Sequence, residues 1–193
     1  MVIWKRKMYR IFMGSIIPSV YLFTNSLFFS LIICSFFLTL LFSLEFERWK
    51  NPGVWDYVLR KYGRIFKTPP GKLTGDTYFM LATFIILLFF KKDIAISSLF
   101  FLIFGDAGSG ILGSKYGKTK IFPGKTLEGF IGGIIFNLII AFFLHNFLNL
   151  PFYILLSGVL ISSIVEILPL KIDDNLTVGI ITAFFMNILN NLI

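Results

Sequence analysis

The chain has one cysteine, one histidine and only ten acidic residues among its 193. Cys34 lies inside an apolar run, cannot form an intrachain disulfide, and reads as a small core or lipid-facing residue. His145 stands near the end of another apolar run, far from the chain's acidic residues, and reads as an interfacial side chain. Charged residues make up 15% of the chain against 56% hydrophobic, too little charge for a soluble domain of this length. Internal repeats and low-complexity linkers are missing. No small-residue cleavage site follows the opening Trp4-Lys5-Arg6-Lys7, so the first apolar run is expected to be a retained helix rather than a signal peptide.

What is present is membrane-spanning material. Seven apolar segments can be read, at about 8–23, 27–44, 77–90, 94–113, 128–148, 152–170 and 176–192. Several approach the ~20 residues needed to cross a bilayer. The first and third are short, so tilt, a kink at Pro18 or flanking residues must complete them. Lipid cannot satisfy free backbone groups, so each segment is expected to be helical. The fold class is therefore an all-α polytopic bundle of about seven transmembrane helices, one membrane domain over 1–193.

Orientation follows from the basic residues. With the N-terminus inside, sixteen of the eighteen Lys and Arg fall on the inner face, and only Lys91 and Lys92 fall outside. That asymmetry predicts an N-in protein of an inner or cytoplasmic-type membrane. The net charge of +8 is then explained by topology and anionic lipid, not by nucleic acid. The 45–73 stretch is the longest cytoplasmic connection. Its apolar residues Val54, Trp55, Val58, Leu59, Tyr62, Ile65 and Phe66 recur at helical spacing opposite a basic face. This fits an interfacial helix, or equally a solvated helix packed on the bundle.

The stretch 104–129 concentrates the chemistry. Asp106 lies about seven residues before the basic loop, which puts it roughly 10 Å into the membrane on a continuous helix. An ionisable residue at that depth is a functional candidate, although a packing ion pair with a lysine would also place one there. The neighbouring Gly105, Gly108, Gly110 and Gly113 would permit an unwound, wet segment. Gly113, Gly117, Lys118, Lys120, Gly124, Lys125 and Thr126 form a loop whose backbone N–H groups and lysines suit nucleotide phosphates. The plainer reading is an ordinary positive-inside loop; carboxylates on both sides weigh against it. Glu128 opens the next apolar run and is either a site acid or a helix-dipole device, and Gly129, Gly132 and Gly133 behind it suit close helix packing.

Two nearby matches do not carry their usual meaning. Gly108 to Gly113 fits a G-x-G-x-x-G pattern, yet its flanks are membrane spans rather than a βαβ unit. Gly124-Lys125-Thr126 resembles the end of a P-loop, but Thr119 stands where the first glycine is required. A third constellation is Glu166 with Asp173, Asp174 and Asn175 before the last segment. Adjacent carboxylates and a carbonyl oxygen suit Mg²⁺, and a plain polar turn is the competing reading.

Taken together, GDAGSGILGSKYGKTK, GKTLEG, the following glutamate and DDNLTV resemble the CTP-dependent lipid kinases: the dolichol kinase, phytol kinase and CTP-dependent diacylglycerol kinase group. The resemblance runs from about Thr74 to Val178, and RKMYRIFMG is similar to the family's opening, with Arg10 where a histidine is usual. Gly179 stands where a proline is usual, and the segment before Thr74 lacks an expected acid. The resemblance implies phosphoryl transfer from CTP to the hydroxyl of a membrane lipid alcohol, with Mg²⁺. It maps onto Asp106, Gly113, Gly117, Lys120, Gly124, Lys125, Glu128, Glu166, Asp173, Asp174 and Asn175.

The expected roles are Asp106, Lys125 and Glu128 in catalysis, the glycine-lysine loop on the nucleotide, and Asp106, Glu166, Asp173, Asp174 and Asn175 on the metal. A cytidylyltransferase making a CDP-lipid needs the same groups and is the nearest alternative. A transporter is the alternative from another class, and clustering of the acids toward one face argues against it. The sequence carries no signal of the acceptor's identity or of the oligomeric state.

Overall fold

The computed structural model describes residues 2–51, Gly53 and 72–192. Its elements are α1 (Val2–Thr24), α2 (Leu27–Lys50), α3 (Gly75–Phe89), α4 (Lys92–Tyr116), β1 (Lys120–Phe122), β2 (Lys125–Thr126), α5 (Leu127–His145), α6 (Phe152–Ile167) and α7 (Asp174–Leu192). Each expected apolar segment is thus a helix. Among the described residues, α2, α4, α5 and α7 are long and apolar enough to cross a membrane, while α3 and α6 are shorter apolar helices. The protein is a helical membrane protein.

Helix starts follow local chemistry. Ser26 Oγ accepts from Phe29 N at 3.2 Å to cap α2, and Thr126 Oγ1 accepts from Gly129 N at 3.2 Å to cap α5. Thr74 caps α3, accepting from Thr77 N. These side chains satisfy donors that the first helical turn leaves open. The tight turn between α1 and α2 puts Asn25 at φ 55, a conformation asparagine tolerates better than most residues.

Helix α4 is the axis of the bundle. It packs against α1, α5, α6 and α7, and Ala95, Ile96, Leu99 and Phe101 on it are fully buried. Its tightest neighbour is α5. A Cβ on Gly108 would lie 2.5 Å from the Gly132 carbonyl oxygen, and one on Gly132 would lie 2.6 Å from that of Gly108. The two backbones touch because neither helix has a side chain there, the usual device for helix association in lipid.

The structure departs from the sequence reading in three places. The glycines after Gly105 do not unwind α4, which stays helical to Tyr116; α5 fills the space that Gly108 and Gly113 leave, and Lys7 of α1 fills that beside Gly110. The bundle is not purely helical, because Lys120–Phe122 and Lys125–Thr126 pair as an antiparallel hairpin. Its turn has Gly124 at φ +79, the left-handed region that glycine enters without strain. Finally, α2 continues past residue 44 to Lys50. Glu45 and Arg48 are therefore helical and buried, paired at 2.9 Å, rather than part of a polar connection. Glu45 also accepts from Thr74 N at 2.6 Å and Thr77 Oγ1 at 3.0 Å, tying α2 to the start of α3. The interfacial helix expected within 45–73 falls on residues outside the described ones.

The chain reverses between successive helices, so one end of the bundle gathers the starts of α1, α3, α5 and α7 and the ends of α4 and α6. The opposite end holds Lys91 and Lys92. Lys92 donates to Asn25, and Lys91 donates to Asn191 at 3.5 Å.

Candidate active site

At the first end lies a polar cavity of about 370 Å³. Five elements supply its charged groups: Lys7 on α1, Asp106 on α4, Lys125 on β2, Glu166 on α6 and Asp174 at the start of α7. Gly113, Gly124 and Thr126 also line it.

Asp106 is gripped from α1. Lys7 Nζ donates to Asp106 Oδ1 at 2.7 Å and to its carbonyl oxygen at 2.8 Å. Arg10 Nη1 donates to Oδ2 at 3.3 Å and its Nε lies 3.9 Å from Asp76 on α3. Lys7 is only 5% exposed, so this is a desolvated ion pair with a neutralising partner, as a charge at this depth requires.

Lys125 stands between two acids. Its Nζ donates to Glu166 Oε1 at 3.0 Å and to Asp174 Oδ2 at 2.7 Å. Burial pulls the ammonium pKa down, but Glu166 and Asp174 outweigh that and hold it above the ordinary lysine value. Ser109 Oγ joins the group, donating to Glu166 Oε1 at 3.4 Å. Arg6 Nε and Ser163 Oγ are buried on the cavity wall with no hydrogen-bond partner among the described residues. Buried polar atoms are seldom left this way, and both are suited to meet a polar ligand.

The site residues expected from sequence therefore divide. Asp106, Gly113, Gly124, Lys125, Thr126, Glu166 and Asp174 come together around the cavity. Glu128 lies off the cavity wall and instead accepts from Thr119 N at 3.1 and 3.2 Å. It fastens the hairpin back onto α5, and that fastening aims Lys125 at its acids. Lys118 and Lys120 are exposed outside the lining. Gly117 is a packing position, since a Cβ there would meet the Gly113 carbonyl oxygen at 2.2 Å. Asp173 Oδ1 accepts from Asn175 N at 2.9 Å and Asn175 Nδ2 at 2.6 Å, a turn that starts α7.

The sequence reading expects α1 as a helix but gives Lys7, Arg10 and Asp76 no role in the site. Arg6, Lys7 and Arg10 were absorbed into the count of inside charges. The available signal was that Arg10 falls within an apolar segment, with Lys7 three residues before it on the same helical face.

Among the described residues no three His, Cys, Asp or Glu side chains form a metal-binding group. Glu166 and Asp174 do converge on one cation, Lys125 Nζ. Two carboxylates facing a phosphate-sized cavity fit the donor set Mg²⁺ usually takes from a protein when substrate phosphates complete its shell.

The chain belongs to the cytidylyltransferase family, whose model matches residues 2–170. It is 26% identical over 185 residues to an uncharacterized protein of Rickettsia prowazekii, covering 90% of this chain and 88% of that one. It is also 26% identical over 137 residues to the CTP-dependent diacylglycerol kinase 1 of Saccharomyces cerevisiae, covering 58% of this chain and 47% of the yeast protein. No solved structure matches.

Proposed function

We propose that this member of the cytidylyltransferase family transfers the γ-phosphoryl group of CTP to the hydroxyl of a membrane lipid alcohol. The observation that carries the reading is the cavity in which Lys7, Lys125 and Arg6 surround space between Asp106, Glu166 and Asp174 at one end of a membrane bundle. Cations suit a triphosphate, and acids suit a metal and a hydroxyl. The similarity to the yeast kinase supports CTP as donor. The basic asymmetry supports an N-in orientation, with the cavity facing the cytoplasm.

The hydroxyl oxygen forms a bond to the γ-phosphorus while the bond from that phosphorus to the β-bridging oxygen breaks. CDP leaves, and the hydroxyl proton passes to Asp106 or to water. Asp106 uses one direction on each oxygen for Lys7 and Arg10, leaving lone pairs to orient the alcohol. Lys125 and Lys7 neutralise charge on the transferring group, and phosphoryl transfer is mostly such positioning and charge stabilisation. Glu166 and Asp174 would hold Mg²⁺, which when bound shields the phosphate oxygens.

The second reading is cytidylyl transfer to a lipid phosphate, favoured by the family match over 2–170. Protein in lipid nanodiscs, given Mg²⁺ and CTP labelled at the α- or γ-phosphate, separates the two. Label in lipid from γ-CTP alone supports the kinase. Label from α-CTP alone overturns it in favour of the second reading.

A further inference from the structure

On the other side of Asp106 lies a second cavity, of about 280 Å³, between α1, α2 and α3. Asp106 is the residue both cavities share. The body of the second cavity is apolar, walled by Met13, Phe37, Leu41, Phe79 and Ile103. Its outer wall includes Leu40 and Leu44, which are 47% and 59% exposed on the bundle surface. In a membrane that surface meets acyl chains, so the cavity opens sideways into lipid. Its polar groups, Arg10, Asp76, Asp106 and Asn175, belong to the same end of the bundle as the polar cavity.

The charges there decide what fits. Arg10 lies 3.3 Å from Asp106 and 3.9 Å from Asp76, and Lys7 is bonded to Asp106 at 2.7 Å. Two cations and two carboxylates already balance. A lipid phosphate entering here would face two carboxylates, and among the described residues the one cation of the cavity wall, Arg10, already stands between them, which is repulsive at these distances. An uncharged hydroxyl meets no such penalty and can donate to a carboxylate oxygen.

We propose that this lateral cavity is the acceptor subsite, that it takes an uncharged lipid alcohol with its chain between α1 and α2, and that it excludes lipids bearing a phosphate headgroup. This rests on the phosphoryl-transfer reading for its chemistry, although the binding claim is testable without turnover.

The probe is a long-chain primary alcohol with a diazirine in its chain, photolysed against the full-length protein in nanodiscs without nucleotide. Labelled peptides are expected to carry Met13, Phe37 or Leu41. Diacylglycerol or a polyprenol should compete, and phosphatidate at the same concentration should not. Leu41→Trp should cut labelling at least tenfold and raise the KM for the alcohol by a similar factor, while the KM for CTP stays within twofold. An unfolding midpoint of Leu41→Trp close to that of the wild type controls for misfolding. Labelling confined to the outer faces of α5 or α6, or competition by phosphatidate as strong as by the alcohols, overturns the proposal. Labelling at α1 and α2 with no phosphoryl transfer to any alcohol overturns the reaction but upholds the subsite.

Discussion

Lys7 Nζ and Asp106 Oδ1 lie 2.7 Å apart although the two residues are ninety-nine positions apart in the chain. The pair fixes α1 against α4 where the two cavities meet. Because Lys7 is buried, removing only the acid leaves an uncompensated charge. Asp106→Asn should abolish turnover, by ~100-fold or more, and cost about 3 kcal/mol of stability. The double variant Lys7→Met with Asp106→Asn should recover most of the stability and none of the activity. Thermal unfolding in detergent beside a radiolabel assay reads both. Full activity in Asp106→Asn would remove it from the mechanism.

Lys125 occupies the position between Glu166 and Asp174 that a divalent cation would share. Lys125→Met should therefore expose two carboxylates without a counter-charge. Millimolar Mg²⁺ without nucleotide should raise the unfolding midpoint of that variant by several degrees and the wild type by less. Equal shifts in the two proteins would count against a metal role for this acid pair.

The same lysine sets an alkaline limit. Its folded pKa is raised above the ordinary 10.5 by the two acids. A raised group contributes stability that is complete below its unfolded pKa and disappears as pH climbs through the folded one. Wild-type stability should thus hold through pH 9 and fall beyond about 10.5, more steeply than that of Lys125→Met. A scan of unfolding midpoint against pH from 8 to 12 tests this, and parallel curves would contradict it.

The α4–α5 contact yields a paired comparison. A Cβ at Gly108 would press within 2.5 Å of backbone, whereas one at Gly133 finds its nearest neighbour at 3.5 Å. Gly108→Ala should cost roughly 1–3 kcal/mol by overpacking. Gly133→Ala should be neutral or gain up to ~1 kcal/mol from helix propensity. Similar losses in both would show that the contact is less tight than the backbone geometry requires.

The linear chain determined the membrane class, the helical segments and many of the residues that line the cavity. Lipid leaves the backbone few options, so apolar length alone marks helices. Asp106 and Glu166 announced themselves as acids where hydrocarbon is expected. Lys125 stood out because it sits beside glycines in a short loop, and Asp174 because it sits next to a second acid.

Tertiary structure decided which polar residues share a cavity. Glu128 and Asp173 looked like site acids, yet local hydrogen bonds turn one to the hairpin and the other to the start of α7. Lys7 and Arg10 looked like topology charge, and Asp76 had no reading of its own. Lys7 and Arg10 reach Asp106, and Asp76 reaches Arg10, because antiparallel packing brings the starts of α1 and α3 beside the last turns of α4. The glycines of α4 could either unwind it or let a neighbour approach, and only the presence of α5 and of Lys7 from α1 against them selected the second. Periodicity and composition report which way a residue faces on its own helix. Which foreign side chain it then meets depends on contacts between segments tens of residues apart, and those follow from packing the whole bundle.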